Sequence, residues 1–296
     1  MHQVTYTKSK VHKAPFPYYG TKKLHAADVW RALGDPGVYI EPFAGSLAVL
    51  LNRPKTDEYR FEVVNDLDCL VANFWRCVKS VPDEVAHWAD YPAIEIDIAA
   101  RRQYFTNWAE ENEEMIRDAG WCDPKAAGFW AYVLSSGIVA HRDTCAKPNA
   151  TSKGVQGVEA NVSKWCDWLA WRLRYVKVLN GDWRRAVSEG MAGSNSRPKP
   201  YAVFLDPPYR VTTGRSKNLY ASDLDGTSED VAEQSYLWAV EHGEEWRIVY
   251  CGHSGDFAVP DGWTAAEYDL RGGRQGVKDQ LMFSPACRPP KLSLFG

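Results

Sequence analysis

The sequence predicts an α/β protein built on a doubly wound, mainly parallel sheet, with a mostly helical subdomain inserted near its middle. Three observations carry this. Apolar runs of strand length recur at 38–40, 61–64 and 201–205, and each ends in a turn rich in Gly, Pro, Asn or Asp. Helix-like stretches lie between them, the alternation expected of a parallel sheet. The residues from 79 to 177 have a different character, and Val85 to Glu114 among them is rich in Glu, Ala, Arg and aromatics at helical spacing. One unit therefore comprises 1–78 and 178–296, and the other comprises 79–177.

Val38-Tyr39-Ile40 reads as a short buried strand, followed directly by Glu41-Pro42-Phe43-Ala44-Gly45-Ser46 and the apolar run Leu47 to Leu51. Strand, glycine turn and helix together form a nucleotide cradle. Gly45 lets backbone approach a ligand closely, and the helix start offers N–H groups and a partial positive end to a carboxylate. The turn differs from GxGxxG, which disfavours a nicotinamide cofactor. Phe61-Glu62-Val63-Val64 reads as a second strand ending in Asn65-Asp66-Leu67-Asp68. An acid there is placed to accept hydrogen bonds from ribose hydroxyls. Asp66 is the candidate for this role, or else it caps the helix of Leu70 to Val78, for which Asp68 is the better-placed cap.

In the inserted segment, Val85 to Glu114 has helix-like spacing punctuated by Pro82, Pro92 and Asp123-Pro124, and Ala126 to Val139 reads as buried helix. Trp165, Trp168 and Trp171 fall near one helix face and read as core anchors, as do Trp108, Trp121 and Trp130. Arg142 to Gly157 reads as a polar loop, in which Lys147, Asn149, Thr151, Ser152 and Lys153 supply donors and acceptors for base edges and phosphates.

Tyr201-Ala202-Val203-Phe204-Leu205 is a strand whose end carries Asp206-Pro207-Pro208-Tyr209. This is a candidate amine-methylating site. The lone pair of an exocyclic base amine is delocalised into the ring. The Asp206 carboxylate and the Pro207 carbonyl could each accept one amine hydrogen, which localises the lone pair and favours a tetrahedral nitrogen. Consecutive prolines stiffen the turn and leave its carbonyls uncommitted to helix bonds. Tyr209 offers a flat face for a base drawn out of the duplex. The alternative is a strand ending in a proline turn, with Asp206 as a cap and Tyr209 as core. Residues 210–227, with Arg210, Arg215 and Lys217, read as a mobile lid, and Tyr220 is a candidate to hold the base. Trp246 to Tyr250 reads as another strand and Gln280 to Phe283 as the last. Between them, Arg271, Arg274 and Lys278 sit in a glycine-rich loop that is either a phosphate contact or a solvated hairpin.

With these pieces in order, the chain resembles the Dam-type family of DNA adenine-N6 methyltransferases. Pro17-Tyr18-Tyr19-Gly20-Thr21-Lys22 is similar to that family's opening aromatic-x-Gly-Gly-Lys segment, with Thr21 in place of the second glycine. The resemblance implies a Rossmann-like methyltransferase fold with S-adenosylmethionine as donor. It implies that Tyr18, Gly20, Lys22, Glu41, Phe43 and Gly45 line the donor site, that Asp66 binds its ribose, and that Asp182 lies near its adenine. Asp206, Pro207, Pro208 and Tyr209 correspond to the catalytic motif, Asp206 also bordering the donor, and 79–177 to the target-recognition subdomain. Segments 14–78 and 178–285 carry the likeness. The partner it implies is double-stranded DNA, for which Lys147, Asn149, Lys153, Arg210, Arg215, Arg271, Arg274 and Lys278 are the candidate contacts. The chain would act as a monomer or weak dimer in the cytoplasm of a prokaryotic or phage-infected cell, in DNA adenine methylation or restriction-modification.

Composition limits these readings. A hydrophobic content of 45% is ordinary for a globular chain of 296 residues, and no apolar run has membrane-spanning length. Met1 to Lys13 is polar, without a secretory core. The 7 cysteines form no CxxC pair, so reduced thiols in the cytosol are expected and a zinc site is not. A net charge of −3 argues against wrapping DNA by bulk electrostatics but permits local basic patches. Candidates are Lys8, Lys10 and Lys13; Lys147 and Lys153; and Arg172, Arg174 and Lys177. Three other functions use the same residues: N4-cytosine methylation, DNA binding without catalysis, and methylation of an RNA base or protein glutamine, where Asn is more familiar than Asp206.

Overall fold

The computed structural model describes residues 14, 16, 18, 22–54, 60–92, 94–112, 114–118, 120–136, 161–192, 198–210, 228–269 and 278–288. They form an α/β protein around one mixed seven-stranded sheet, compatible with the Rossmann-like class. In chain order the strands are β1 (Val38–Glu41), β2 (Phe61–Asp66), β3 (Val176–Asn180), β4 (Tyr201–Leu205), β5 (Arg247–His253), β6 (Thr264–Asp269) and β7 (Lys278–Phe283). Their spatial order is β3-β2-β1-β4-β5-β7-β6. The first five are parallel, while β7 runs antiparallel to both β5 and β6. Interposing β7 separates this order from the dinucleotide-binding 3-2-1-4-5-6. Neither β3 nor β6 is among the strands expected from the sequence; in β3 only Val176 is fully buried, and β6 has no buried residue. Their other side chains are exposed or half-buried, so both strands lack the apolar run that marks the buried ones.

Strand period decides where each side chain goes, because successive Cβ atoms point to opposite faces. Tyr39, Val64, Phe204 and Val249 join one core; Ile40, Val63, Leu205 and Ile248 join the other. The first face is covered by α1 (Ala26–Leu33), α2 (Cys69–Ser80), α3 (Pro82–Ala89), α4 (Glu95–Glu111), α5 (Pro124–Ser136) and α6 (Val162–Leu173). The short α7 (Glu189–Ala192) follows, and α8 (Ser228–His242) helps cover the second face. Among the described residues no helix is long and apolar enough to cross a membrane.

Asp68 is the cap of α2, its side chain accepting the Leu70 amide at 2.9 Å, an interaction worth about 1 kcal/mol. That leaves Asp66 out of the cap. Leu70, Val71 and Phe74 of α2 are fully buried, each contributing about 1.5–3 kcal/mol by leaving water. Helix α3 starts at once because Pro82 stands in its first turn, where a missing N–H costs nothing. In their described residues the inserted helices continue the core: α3, α5 and α6 pack on α2 or on one another. Arg101 of α4 lies 4.2 Å from the rings of Tyr91 and Tyr132 and 4.6 Å from Phe129, a cation–π clamp between α4 and α5.

Three sequence expectations change. The run Leu47 to Leu51 is not an α-helix; turns lead into a single 3-10 turn at Leu50–Asn52. Leu47 sits at φ 52°, outside helical space, and Pro54 follows closely, so no helix builds up there. Trp171 is exposed, whereas Trp165 and Trp168 are buried. Spacings of three and three rotate the last ring off the buried stripe, and it stacks on Arg174 with the guanidinium 4.4 Å away.

Arg172 is no part of a surface basic patch. It is buried, with Nη1 donating to Glu62 at 2.6 Å and Nη2 to Glu62 at 2.9 Å and to the Leu50 carbonyl at 2.9 Å. Arg53 Nη1 adds a bond to the same carboxylate at 2.8 Å. A planar guanidinium matches a carboxylate in this forked way, so the pair ties α6 to β2.

Candidate active site

Chain order reverses between β1 and β4: β2 and β3 extend one side of β1, and β4 then starts the other. A crevice opens at such a switch point beyond the carboxyl ends of the strands. Both sequence motifs arrive there, because Glu41 ends β1 and Asp206 follows β4.

The β1 side is a stitched set of three loops. Gly45 has φ 44°, and its amide donates to Asp66 Oδ2 at 2.8 Å while its carbonyl accepts from Trp75 Nε1 at 2.8 Å. Asn65 Nδ2 donates to the carbonyls of Pro42 at 3.1 Å and Gly181 at 2.9 Å. The Gly181 amide donates to the Asp66 carbonyl at 3.0 Å. Asn65 thus locks the ends of β1, β2 and β3 together. Sequence reasoning passed over it in favour of its neighbour Asp66, although a polar residue closing an apolar strand was the available signal. Tyr18 lies against the glycine turn, where a Cβ on Gly45 would come within 2.8 Å of its ring. Gly45→Val is accordingly expected to distort the turn through both the positive φ and this collision, at a cost of about 1–3 kcal/mol in unfolding free energy, measured by urea denaturation.

Electrostatics here favour protonated acids. Glu41 accepts the Tyr39 hydroxyl at 3.1 Å and the Leu50 amide at 3.3 Å, yet burial pushes its carboxyl up to about 8. Asp66 accepts the amides of Gly45 and Asp68, and burial still lifts it to about 7, with Asp68 adding repulsion. Asp182 differs: Arg184 grips both its oxygens at 2.7–2.8 Å and holds its carboxyl below the usual range. Phe43 faces this loop, its ring 6.1 Å from Trp183.

On the β4 side, Asp206 meets Lys22. The Lys22 Nζ is 3.1 Å from Asp206 Oδ1, and Lys22 is almost fully buried. Beyond this ion pair, Oδ1 is a buried acceptor with no hydrogen-bond partner among the described residues. Burial pushes the Asp206 carboxyl up, Lys22 pulls it down, and Asp279 pushes it up again. Tyr209 is buried rather than open to solvent: its hydroxyl lies 3.0 Å from Cys251 Sγ, its ring meets His253 at 4.5 Å, and Lys22 Nζ stands 4.8 Å from the ring centre. Burial drives its phenol well above the ordinary value.

Sequence reasoning missed Asp279 and His25. Asp279, on β7, is 3.8 Å from Lys22 Nζ and 4.0 Å from His25 Nε2. Only the sheet order brings it in, by pairing Asp279 with His253. Lys22 therefore stands with the proline turn, whereas Tyr18, Glu41, Phe43, Gly45, Asp66 and Asp182 gather on the β1 side. Arg210 directly follows the turn, with its guanidinium 5.4 Å from the Phe257 ring, and the exposed Lys278 pairs with Glu267 at 3.1 Å. Gly20, Lys147, Asn149, Lys153, Arg215, Tyr220, Arg271 and Arg274 lie outside the described residues. Neither a protein-family model nor a curated protein matches the chain.

Proposed function

We propose that the chain is a Dam-type, S-adenosylmethionine-dependent methyltransferase acting on N6 of an adenine flipped out of duplex DNA. The observation that carries the proposal is adjacency. A glycine cradle ringed by acids ends β1, and an Asp-Pro-Pro-Tyr turn with a buried acceptor lacking a hydrogen bond ends its neighbour β4.

The residues present fit the donor. Glu41 and Asp66, held towards the neutral form by burial, would regain their charge against a cationic ligand, and the Gly45 turn offers the close backbone approach that a side chain would block. Asp66 would hold the ribose hydroxyls, Phe43 and Asp182 the adenine end, and Glu41, Gly45 and Tyr18 the remainder. When bound, the donor supplies a methyl group activated by its sulfonium sulfur. Asp206 Oδ1 and the Pro207 carbonyl accept the two hydrogens of the base amine, concentrating its lone pair on nitrogen. The stiff proline pair keeps these acceptors from turning away. Asp206, its proton affinity raised by burial, would take the proton that nitrogen sheds. Residues 79–177 are the segment proposed to read the target sequence, with Arg210 and Lys278 at phosphates.

The deciding experiment incubates the chain with unmodified genomic DNA and labelled donor, digests the DNA and identifies the altered nucleoside by mass. N6-methyladenine is expected; N4-methylcytosine would reassign the base, and no methylated nucleoside would end the proposal. Donor affinity has its own signature. A bound cation favours the ionised forms of Asp66 and Glu41, so binding expels protons wherever these groups are protonated in the free chain. Affinity should rise with pH between about pH 6 and pH 9 and level off above, with proton release measurable by calorimetry in buffers of different ionisation enthalpy.

A further inference from the structure

We propose that Lys22 and Asp279 are positioning residues that act through Asp206: the Lys22 ammonium, held between the two carboxylates, keeps the Asp206 oxygen set at the proline turn, and β7 supplies the charge that anchors the ammonium. The effect on rate rests on the methyl-transfer reading above; the effect on the Asp206 proton does not.

A buried ammonium is costly, by several kcal/mol, unless paired. Lys22 has Asp206 Oδ1 at 3.1 Å and Asp279 Oδ2 at 3.8 Å. The two acids come from β4 and β7, which are not neighbours because β5 lies between them. Lys22 therefore bridges across the end of β5, beside Tyr209. Asp279 Oδ1 is, like Asp206 Oδ1, a buried acceptor without a hydrogen bond among the described residues. The bridge thus leaves acceptor capacity at both ends.

The titratable groups facing this bridge are His25 beside Lys22, Glu41 on β1, Tyr209 after β4, Cys251 and His253 on β5, and Tyr268 of β6, whose ring lies tilted against His25 at 4.2 Å and whose hydroxyl donates to Asp28 at 2.9 Å. Burial lowers the His25 imidazole and raises Tyr209, Cys251 and Glu41, so these are mainly neutral near pH 7. Among these groups the bridge sets one amine, Lys22, between two carboxyl groups, Asp206 at 3.1 Å and Asp279 at 3.8 Å.

The two residues push the Asp206 proton in opposite directions. Lys22→Met removes the cation that favours the carboxylate; Asp279→Asn removes the like charge that opposes it, with no change of shape. A merely structural role would not produce opposite signs. The test is a pH titration of aspartate 13Cγ resonances in the full chain, with Asp206 assigned by its loss in Asp206→Asn. Lys22→Met is expected to raise the Asp206 midpoint by about one to three units, and Asp279→Asn to lower it by about one. Single-turnover methyl transfer to duplex DNA should fall about 100-fold in Lys22→Met, the cost of a misplaced reacting group, with donor affinity changed by no more than about twofold. Midpoints that stay put or move the same way overturn the proposal, as does a loss confined to donor affinity. Thermal melts check folding, and should Lys22→Met not fold, the isosteric Asp279→Asn decides alone. A wild-type chain that transfers no methyl group would refute the functional reading, while the titration would still decide the bridge.

Discussion

Asp206→Ala is expected to lower methyl transfer by about 100- to 1000-fold, the loss typical when one preorganised group aimed at the transition state is removed. Donor affinity should stay within a few-fold, because Asp206 faces Lys22 and the proline turn while the acids assigned to the donor lie on the β1 side. Asp66→Ala should show the reverse pattern, weakening donor binding first, since it also releases the Gly45 amide. Equilibrium dialysis for the donor and initial rates on duplex DNA separate the two effects. Near-normal turnover in Asp206→Ala would mean that the turn does not handle the amine.

The second large effect concerns stability. Arg172→Ala should destabilise the fold by about 3 kcal/mol, the lower end of the range for breaking a buried ion pair from one side, because Arg53 still contacts Glu62. The loss should appear as a lower urea midpoint with an unchanged slope. Arg184, which grips Asp182 at the surface, offers the contrast: Arg184→Ala should cost less than about 1 kcal/mol, since solvent screens an exposed pair. Equal losses at the two positions would contradict the burial argument.

These two arginines show where reading the chain directly succeeds and where it stops. Nothing local distinguishes Arg172 from Arg174, two residues away; the first is buried against Glu62 of β2 and the second lies on the exposed Trp171 ring. The partner of a long charged side chain depends on which distant strand packs beneath its helix. The same holds for Lys22, read as a donor-site lysine and found at the proline turn, in contact with Asp279 of the last strand. The misread helix after Gly45 is a different case. Its apolar run is buried, but helix and 3-10 turn place four or five apolar residues almost alike, and the left-handed Leu47 breaks the helix.

What the chain determined by itself were features encoded within a few residues. These are the buried strands Val38–Glu41, Phe61–Asp66 and Tyr201–Leu205, the Asp68 cap, and the turns that end β1 and β4. Periodicity, proline and glycine act over one turn or one strand, so they can be read in place. Only the tertiary structure decided that β7 slots between β5 and β6, that Asp279 thereby reaches Lys22, and that Asn65 joins three loops. Those contacts form between residues far apart in the chain, and it is burial on folding, not local preference, that selects them.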